Sequence, residues 1–291
     1  MIVRGLLYHL ASGQAFFAGL ACFILAAVLS APSSRRWVRT ARTILACFGG
    51  ILIVASATPL SPWLYALLFI AGLSWGGSEA IPSRVPARLA VGLRVAVIVV
   101  GMGAMLVELP YHRMPGVPHL GRPTLGIVAD SMTAGLGAEG ERTWPGRFAD
   151  GHAAIVRDHS RAGATVATAL RQAEAIAPDE DLVLLEIGGN DLLGGTSPDE
   201  YERGLASLLS AVRKPGRVVV LLELPLLPTF NAFGRIQRRL AREHGAILIP
   251  KRVLLGVLLR PGATLDSIHL AESGHRAMAV AVWDALRGAY D

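Results

Sequence analysis

Hydrophobic and polar positions follow two different patterns that meet near residue 111. Before that point the apolar runs are long and uncharged. Between Arg4 and Arg35 no residue is charged, and Ala15 to Leu29, with its flanks, predicts a helix able to cross roughly 30 Å of hydrocarbon. Thr43 to Ser78 is also uncharged and too long for one span, and Pro59-Leu60-Ser61-Pro62 breaks it into two helices joined by a tight turn. Leu93 to Leu109, with Arg94 and Glu108 near its ends where they can reach the interface, gives a fourth. Residues 1–111 therefore read as an all-α transmembrane region of about four helices, with the lipid bilayer as its partner. The stretch to Pro123, rich in proline and glycine, reads as a linker over 112–123, which leaves 124–291 as a second domain.

From Thr124 onward short apolar runs alternate with amphipathic stretches. Leu125 to Ala129, Ala153 to Val156, Leu182 to Ile187, Val218 to Leu222 and Ala246 to Ile249 have the character of buried strands. Thr165 to Ile176, Pro198 to Val212 and Phe233 to His244 have the periodicity of helices. This alternation predicts an α/β domain, a parallel sheet with helices on both faces, whose functional groups gather at the carboxyl ends of strands. Ser131 follows the first strand, and Gly188 to Asp191 follow the third.

Composition supports the membrane reading and removes another. Over 291 residues, 52% are hydrophobic, and the mean hydropathy of +0.47 is high for a soluble globule. Residues 1–100 hold eight arginines against the single acid Glu79, a charge of +7, and the rest of the chain comes to −1 within the net +6. The basic isoelectric point thus reflects loops between apolar segments rather than a basic face, and no nucleic-acid partner is implied. Arginines at 35 to 42 and 84 to 94 flank the proposed helical hairpin and fall on one side of the membrane. By the positive-inside rule that side is cytoplasmic, so a spanning fourth helix delivers the second domain to the extracytoplasmic, periplasmic face, whereas a fourth segment that does not span leaves it cytoplasmic. A cleaved signal peptide is the competing reading of the first segment, but its n-region carries only Arg4 and the stronger cluster follows the apolar run. Cys22 and Cys47, the only cysteines, lie inside apolar runs and do not define a redox compartment.

Three motifs carry chemistry: Ala129-Asp130-Ser131-Met132, Gly188-Gly189-Asn190-Asp191 and Asp266-Ser267-Ile268-His269. A serine where a strand ends is exposed, with its amide aimed at the same point as its hydroxyl. The bland alternative for Ser131 is a helix N-cap, and for Asn190 a turn residue. An asparagine amide can also stabilise an oxyanion without competing as a base. Asp266, three residues before His269, can fix the imidazole tautomer while the other ring nitrogen faces the serine. Gly163, in Ser160-Arg161-Ala162-Gly163, follows the second strand with an amide free to point at a ligand. Asp130 is expected to bond nearby amides, and His275 to pack or lie solvated on a helix. Gly72-Leu73-Ser74-Trp75-Gly76 matches the G-x-S-x-G elbow but has no strand before it. No pattern for a metal or cofactor site accompanies the histidines.

In these blocks, residues 124 to 288 resemble the SGNH hydrolases, also called GDSL esterases and lipases. The resemblance implies a flavodoxin-like three-layer α/β/α fold, a triad of Ser131, Asp266 and His269, and an oxyanion hole from the Ser131 and Gly163 amides with the Asn190 side chain. It also implies no metal and no cofactor. Ala129 stands where the family usually has glycine, and Leu270 where proline often follows the histidine. The leading expectation is a membrane-anchored serine ester hydrolase for small-molecule, lipid or glycan esters. Acyl transfer to or deacetylation of cell-envelope glycans would use the same residues, and a non-catalytic binding role would leave the triad without purpose.

Overall fold

Helices occupy the first third of the chain and a mixed helix and strand pattern the rest. In a computed structural model, residues 2–30, 36–137, 140–266 and 268–291 are described. They form two compact units: Met1–His112 with Leu226–Asn231, and Arg113–Pro225 with Ala232–Asp291.

The first unit contains α1 (Ile2–Ala11), α2 (Gln14–Val28), α3 (Arg36–Ala55), α4 (Pro62–Ala80) and α5 (Ala87–Glu108). α1 and α2 meet at an 83° bend, where Gly13 adopts a left-handed φ of 87°. Among the described residues α3 and the 26-residue stretch Ala87–His112 are long and apolar enough to cross a membrane, and the bent α1–α2 pair would make a third span. The sequence pattern expects about four. The difference lies in α4, whose 19 residues are diluted by Gly72, Gly76, Gly77 and the terminal Ser78-Glu79. Glu79 bonds Arg42 of α3 at 2.6 Å and Arg94 of α5 at 3.0 Å, so this acid is neutralised from two helices. α2 and α3 cross at Gly19 and Gly49, where an added Cβ would meet the opposite backbone at 2.7 and 2.6 Å. Only glycine permits that approach.

The second unit is built on β1 (Leu125–Ala129), β2 (Val156–Asp158), β3 (Leu182–Glu186), β4 (Val218–Leu222) and β5 (Ile247–Ile249). All pairs are parallel and the order is β2-β1-β3-β4-β5. Every residue of β1 and β3 is buried, which requires cover on both faces of the sheet. Around it lie α6 (Ser131–Ala134), α7 (Trp144–His152), α8 (Leu170–Glu174), α9 (Gly189–Leu193), α10 (Pro198–Val212), α11 (Asn231–Glu243), α12 (Arg252–Leu258) and α13 (Glu272–Leu286). α13 packs on α7 and α12, and α10 on α8. The local sequence explains α10: Ser197 and Glu200 close a capping box, Pro198 takes the first turn, and Tyr201, Leu205, Leu208 and Val212 form its buried stripe.

Two expected elements are displaced. The second strand begins at Val156 rather than Ala153, because Ala153 ends α7 in the left-handed region at φ 48°. Helix within Thr165 to Ile176 is confined to Leu170–Glu174, because Thr165 and Thr168 bond one another's backbone and hydroxyl groups in a turn. Strand order reverses direction between β1 and β3, the place where an open parallel sheet leaves a crevice at its carboxyl edge. Ala129 pairs with Glu186 there, so the segments after β1 and β3 emerge side by side.

Candidate active site

Ser131 is the first residue of α6, one step beyond the N-cap Asp130, whose carboxylate accepts the Met132 N–H at 3.0 Å. The N-cap role that was the bland alternative for the serine thus belongs to its neighbour. A first-turn amide such as that of Ser131 has no helical carbonyl to bond. The strand end beneath it is held by Gln172: Ala129 donates its N–H to the side-chain oxygen at 3.0 Å, and the side-chain amide donates to the Ala129 carbonyl at 3.1 Å.

His269 and Asp266 arrive from the loop before α13. Asp266 Oδ1 accepts the backbone N–H groups of Ile268 at 3.2 Å and His269 at 2.9 Å, while Oδ2 meets His269 Nδ1 at 2.6 Å. Those bonds, the imidazole first, hold the Asp266 pKa down at about 2, so the carboxylate stays ionised and accepts the Nδ1 proton. The lone pair of the neutral ring is therefore on Nε2, which lies 3.1 Å from Ser131 Oγ. The loop is closed by the Leu265 N–H donating to the His269 carbonyl at 2.9 Å and by a bridge between Thr264 and Leu270.

Asn190 and Gly163 come from the ends of β3 and β2. A side chain at Gly189 would touch Asp130 Oδ2 at 3.3 Å, so this block packs against the residue before the serine. Asn190 donates one amide hydrogen to the Ala164 carbonyl at 2.9 Å, and Asp191 accepts the Val166 N–H at 2.9 Å. A primary amide has a second hydrogen beside the one donated to Ala164. Gly163 has open space where a side chain would stand but holds φ at 75°, and that backbone conformation calls for glycine. Arg161 donates its N–H to the Ala129 carbonyl at 3.0 Å, which keeps this loop beside β1.

Two buried acids lie beside the serine helix, Asp130 of the first motif and Glu186, which the motifs did not single out. Burial pushes the Asp130 pKa up to about 6, opposed by its Met132 bond and by His269. Glu186 is fully buried and its pKa is raised well above the ordinary range, first by burial and then by Asp130, although Thr133 donates to it at 3.0 Å. Its signal was the acid closing the apolar run Leu182 to Glu186. Among the described residues no group of three or more His, Cys, Asp or Glu side chains could hold a metal ion.

The GDSL-like Lipase/Acylhydrolase family model matches residues 130–277, which hold Ser131, Gly163, Asn190, Asp266 and His269. The chain belongs to this family. It is a serine ester hydrolase of the GDSL/SGNH kind, and the match lies downstream of α1–α5. It is similar to Esterase TesA of Pseudomonas aeruginosa, 33% identical over 177 residues, 56% of this chain and 88% of that protein. An arylesterase of Vibrio mimicus is 27% identical over 48% of this chain and 76% of its own length. Thioesterase 1/protease 1/lysophospholipase L1 of Escherichia coli K12 is 29% identical over 44% of this chain and 65% of that protein. The solved structure of the psychrotrophic esterase EstA from Pseudoalteromonas shares the fold, with a TM-score of 0.51 at 20% identity over 56% of this chain and 96% of that one.

Proposed function

We propose that this chain is a membrane-anchored serine ester hydrolase that works through an acyl-enzyme on Ser131. The observation that carries the reading is the pair of contacts from Ser131 Oγ to His269 Nε2 at 3.1 Å and from His269 Nδ1 to Asp266 at 2.6 Å. As the serine oxygen attacks the ester carbonyl, its proton passes to Nε2 and the carbonyl π electrons move to oxygen. The oxyanion is held by the Ser131 and Gly163 amides and the second Asn190 amide hydrogen. The imidazolium gives its proton to the departing alcohol oxygen, leaving the acyl group on Ser131. Water, deprotonated by the same nitrogen, then releases the acid and restores the serine. Asp266 holds the ring and supports its positive charge throughout.

Residues 1–111 serve as the membrane region and 112–123 as a linker to the catalytic domain 124–291. The arginine clusters on both sides of the α3–α4 hairpin support a cytoplasmic placement of those loops and an extracytoplasmic one for the catalytic domain. A linker of about a dozen residues reaches no more than roughly 40 Å, so lipid or envelope-glycan esters within that distance of the headgroups are the substrates favoured. The test is a panel of esters of varied acyl length hydrolysed by purified full-length protein beside Ser131→Ala. Activity confined to the unmodified protein supports the reading; activity unchanged in Ser131→Ala overturns it.

A further inference from the structure

Just after the serine helix the chain turns through Gly135, Leu136 and Gly137, and the carboxylate of Glu141 sits inside that turn. Its Oε2 accepts the N–H of Leu136 at 2.9 Å and of Gly137 at 2.8 Å. A side chain at Gly135 would meet this carboxylate at 2.7 Å and displace it from the turn, and the φ of 76° calls for glycine there. The other carboxylate oxygen faces His275 Nε2 at 3.5 Å.

His275, only 1% exposed, is on α13. Its Nδ1 lies 3.2 Å from the Trp144 backbone nitrogen. A backbone N–H can only donate, so Nδ1 carries the lone pair and the ring proton is on Nε2, which makes no hydrogen bond and has Glu141 as its ion-pair neighbour at 3.5 Å. Burial, which holds the His275 pKa below its ordinary value against the pull of Glu141, favours the same neutral ring. Trp144 in turn donates its indole N–H to Thr133 Oγ at 3.0 Å, and Thr133 donates to Glu186 at 3.0 Å. Thr133 is two residues beyond Ser131 on the same helix, which closes the circuit.

The far end of α13 matters less than its first turn, because that turn supports the base. Ala271 donates its N–H to the Ala263 carbonyl at 2.8 Å, and the Ser273 hydroxyl donates to the Gly262 carbonyl at 2.6 Å. A side chain at Gly274 would overlap the Ala263 carbonyl, so this turn is fitted closely to the root of the Asp266 and His269 loop. The turn after the nucleophile and the loop of the base thus meet at one pair, the part-buried Glu141 and the buried His275.

We propose that Glu141 and His275 are positioning residues for the ester-hydrolase reaction: by locking the turn after Ser131 to the helix turn that supports His269, they set the approach of Oγ to Nε2. This rests on Ser131 being the nucleophile. Displacements of about 1 Å at reacting groups cost up to about 100-fold in rate, so loosening the lock should act on turnover.

The experiment compares full-length Glu141→Ala, His275→Leu and His275→Asn for kcat per active site, counted by fluorophosphonate titration, together with KM and Tm. Glu141→Ala and His275→Leu are expected to lower kcat per titrated site about tenfold or more with KM within about twofold. His275→Asn, whose side-chain oxygen stands near the position of Nδ1 and can accept the Trp144 N–H, is expected to recover several-fold over His275→Leu. Unchanged kcat per titrated site, with only Tm or the active fraction reduced, would overturn the proposal, as would equal losses in the two His275 variants. Ser131→Ala run in parallel separates the two claims, since activity surviving there overturns the nucleophile and not merely its positioning.

Discussion

His269 Nε2 lies 3.1 Å from Ser131 Oγ although 138 positions separate the two residues in the chain. Their meeting depends on the strand order, which places β1 between β2 and β3, and on the loop before α13, which Asp266 organises with the backbone bonds to its carboxylate. Removing the ring should leave substrate binding and the oxyanion donors in place. His269→Ala is expected to lower kcat by about 10³-fold or more, with KM changed far less, measured on a small aryl ester.

Asp266→Asn keeps a side chain of the same shape but removes the acceptor that selects the tautomer with Nε2 unprotonated. About 10²- to 10⁴-fold loss in kcat is expected, the upper end being the loss known for the corresponding change in a serine-protease triad. The folded pKa of about 2 is below the ordinary 3.8. The stabilisation from its bonds is therefore complete above pH 4 and lost as pH falls through 2. Urea unfolding at pH 2 to 5 should show that loss in the unmodified protein and a flatter dependence in Asp266→Asn.

Asp130 has the opposite sign. Its folded pKa of about 6 exceeds the ordinary 3.8, so the folded state binds more protons between those values and stability falls as pH rises from 4 through 6. Asp130→Asn keeps an oxygen to accept the Met132 N–H but carries no charge. It is expected to raise Tm at pH 8 and to change it little at pH 4, as followed by thermal unfolding.

Asn190→Ala removes both the bond to the Ala164 carbonyl and the spare amide hydrogen. A loss of about 10²- to 10³-fold in kcat is expected if the spare hydrogen serves the oxyanion. Gly163→Ala, by contrast, meets no neighbouring atom and is penalised only by its positive φ, about 1 to 2 kcal/mol. Steady-state kinetics beside thermal unfolding distinguish the two kinds of loss.

The sheet was legible where buried strands are continuous apolar runs: the bounds of β1 and β4 coincide with those expected. The edge strand β2 was not, because Arg157 and Asp158 break the apolar signal and the left-handed Ala153 is an outcome of how α7 ends. Ser131, Asp266 and His269 were legible from motif order and the three-residue spacing, and the structure brings their side chains together. The bond from Asn190 to Ala164 and the path from Thr133 through Trp144 and His275 to Glu141 were not. They join segments that meet only after the sheet is assembled. The helix α4 was legible from its apolar run, which glycines and a polar end interrupt.

The most direct measurement is mass-spectrometric mapping of the residue modified when active full-length protein is inactivated by a fluorophosphonate. Ser131 should carry the label in proportion to lost ester hydrolysis, and Ser131→Ala should neither hydrolyse nor be labelled. Inactivation with the label on another serine, such as Ser74 of the G-x-S-x-G match in α4, would contradict the assignment of the nucleophile.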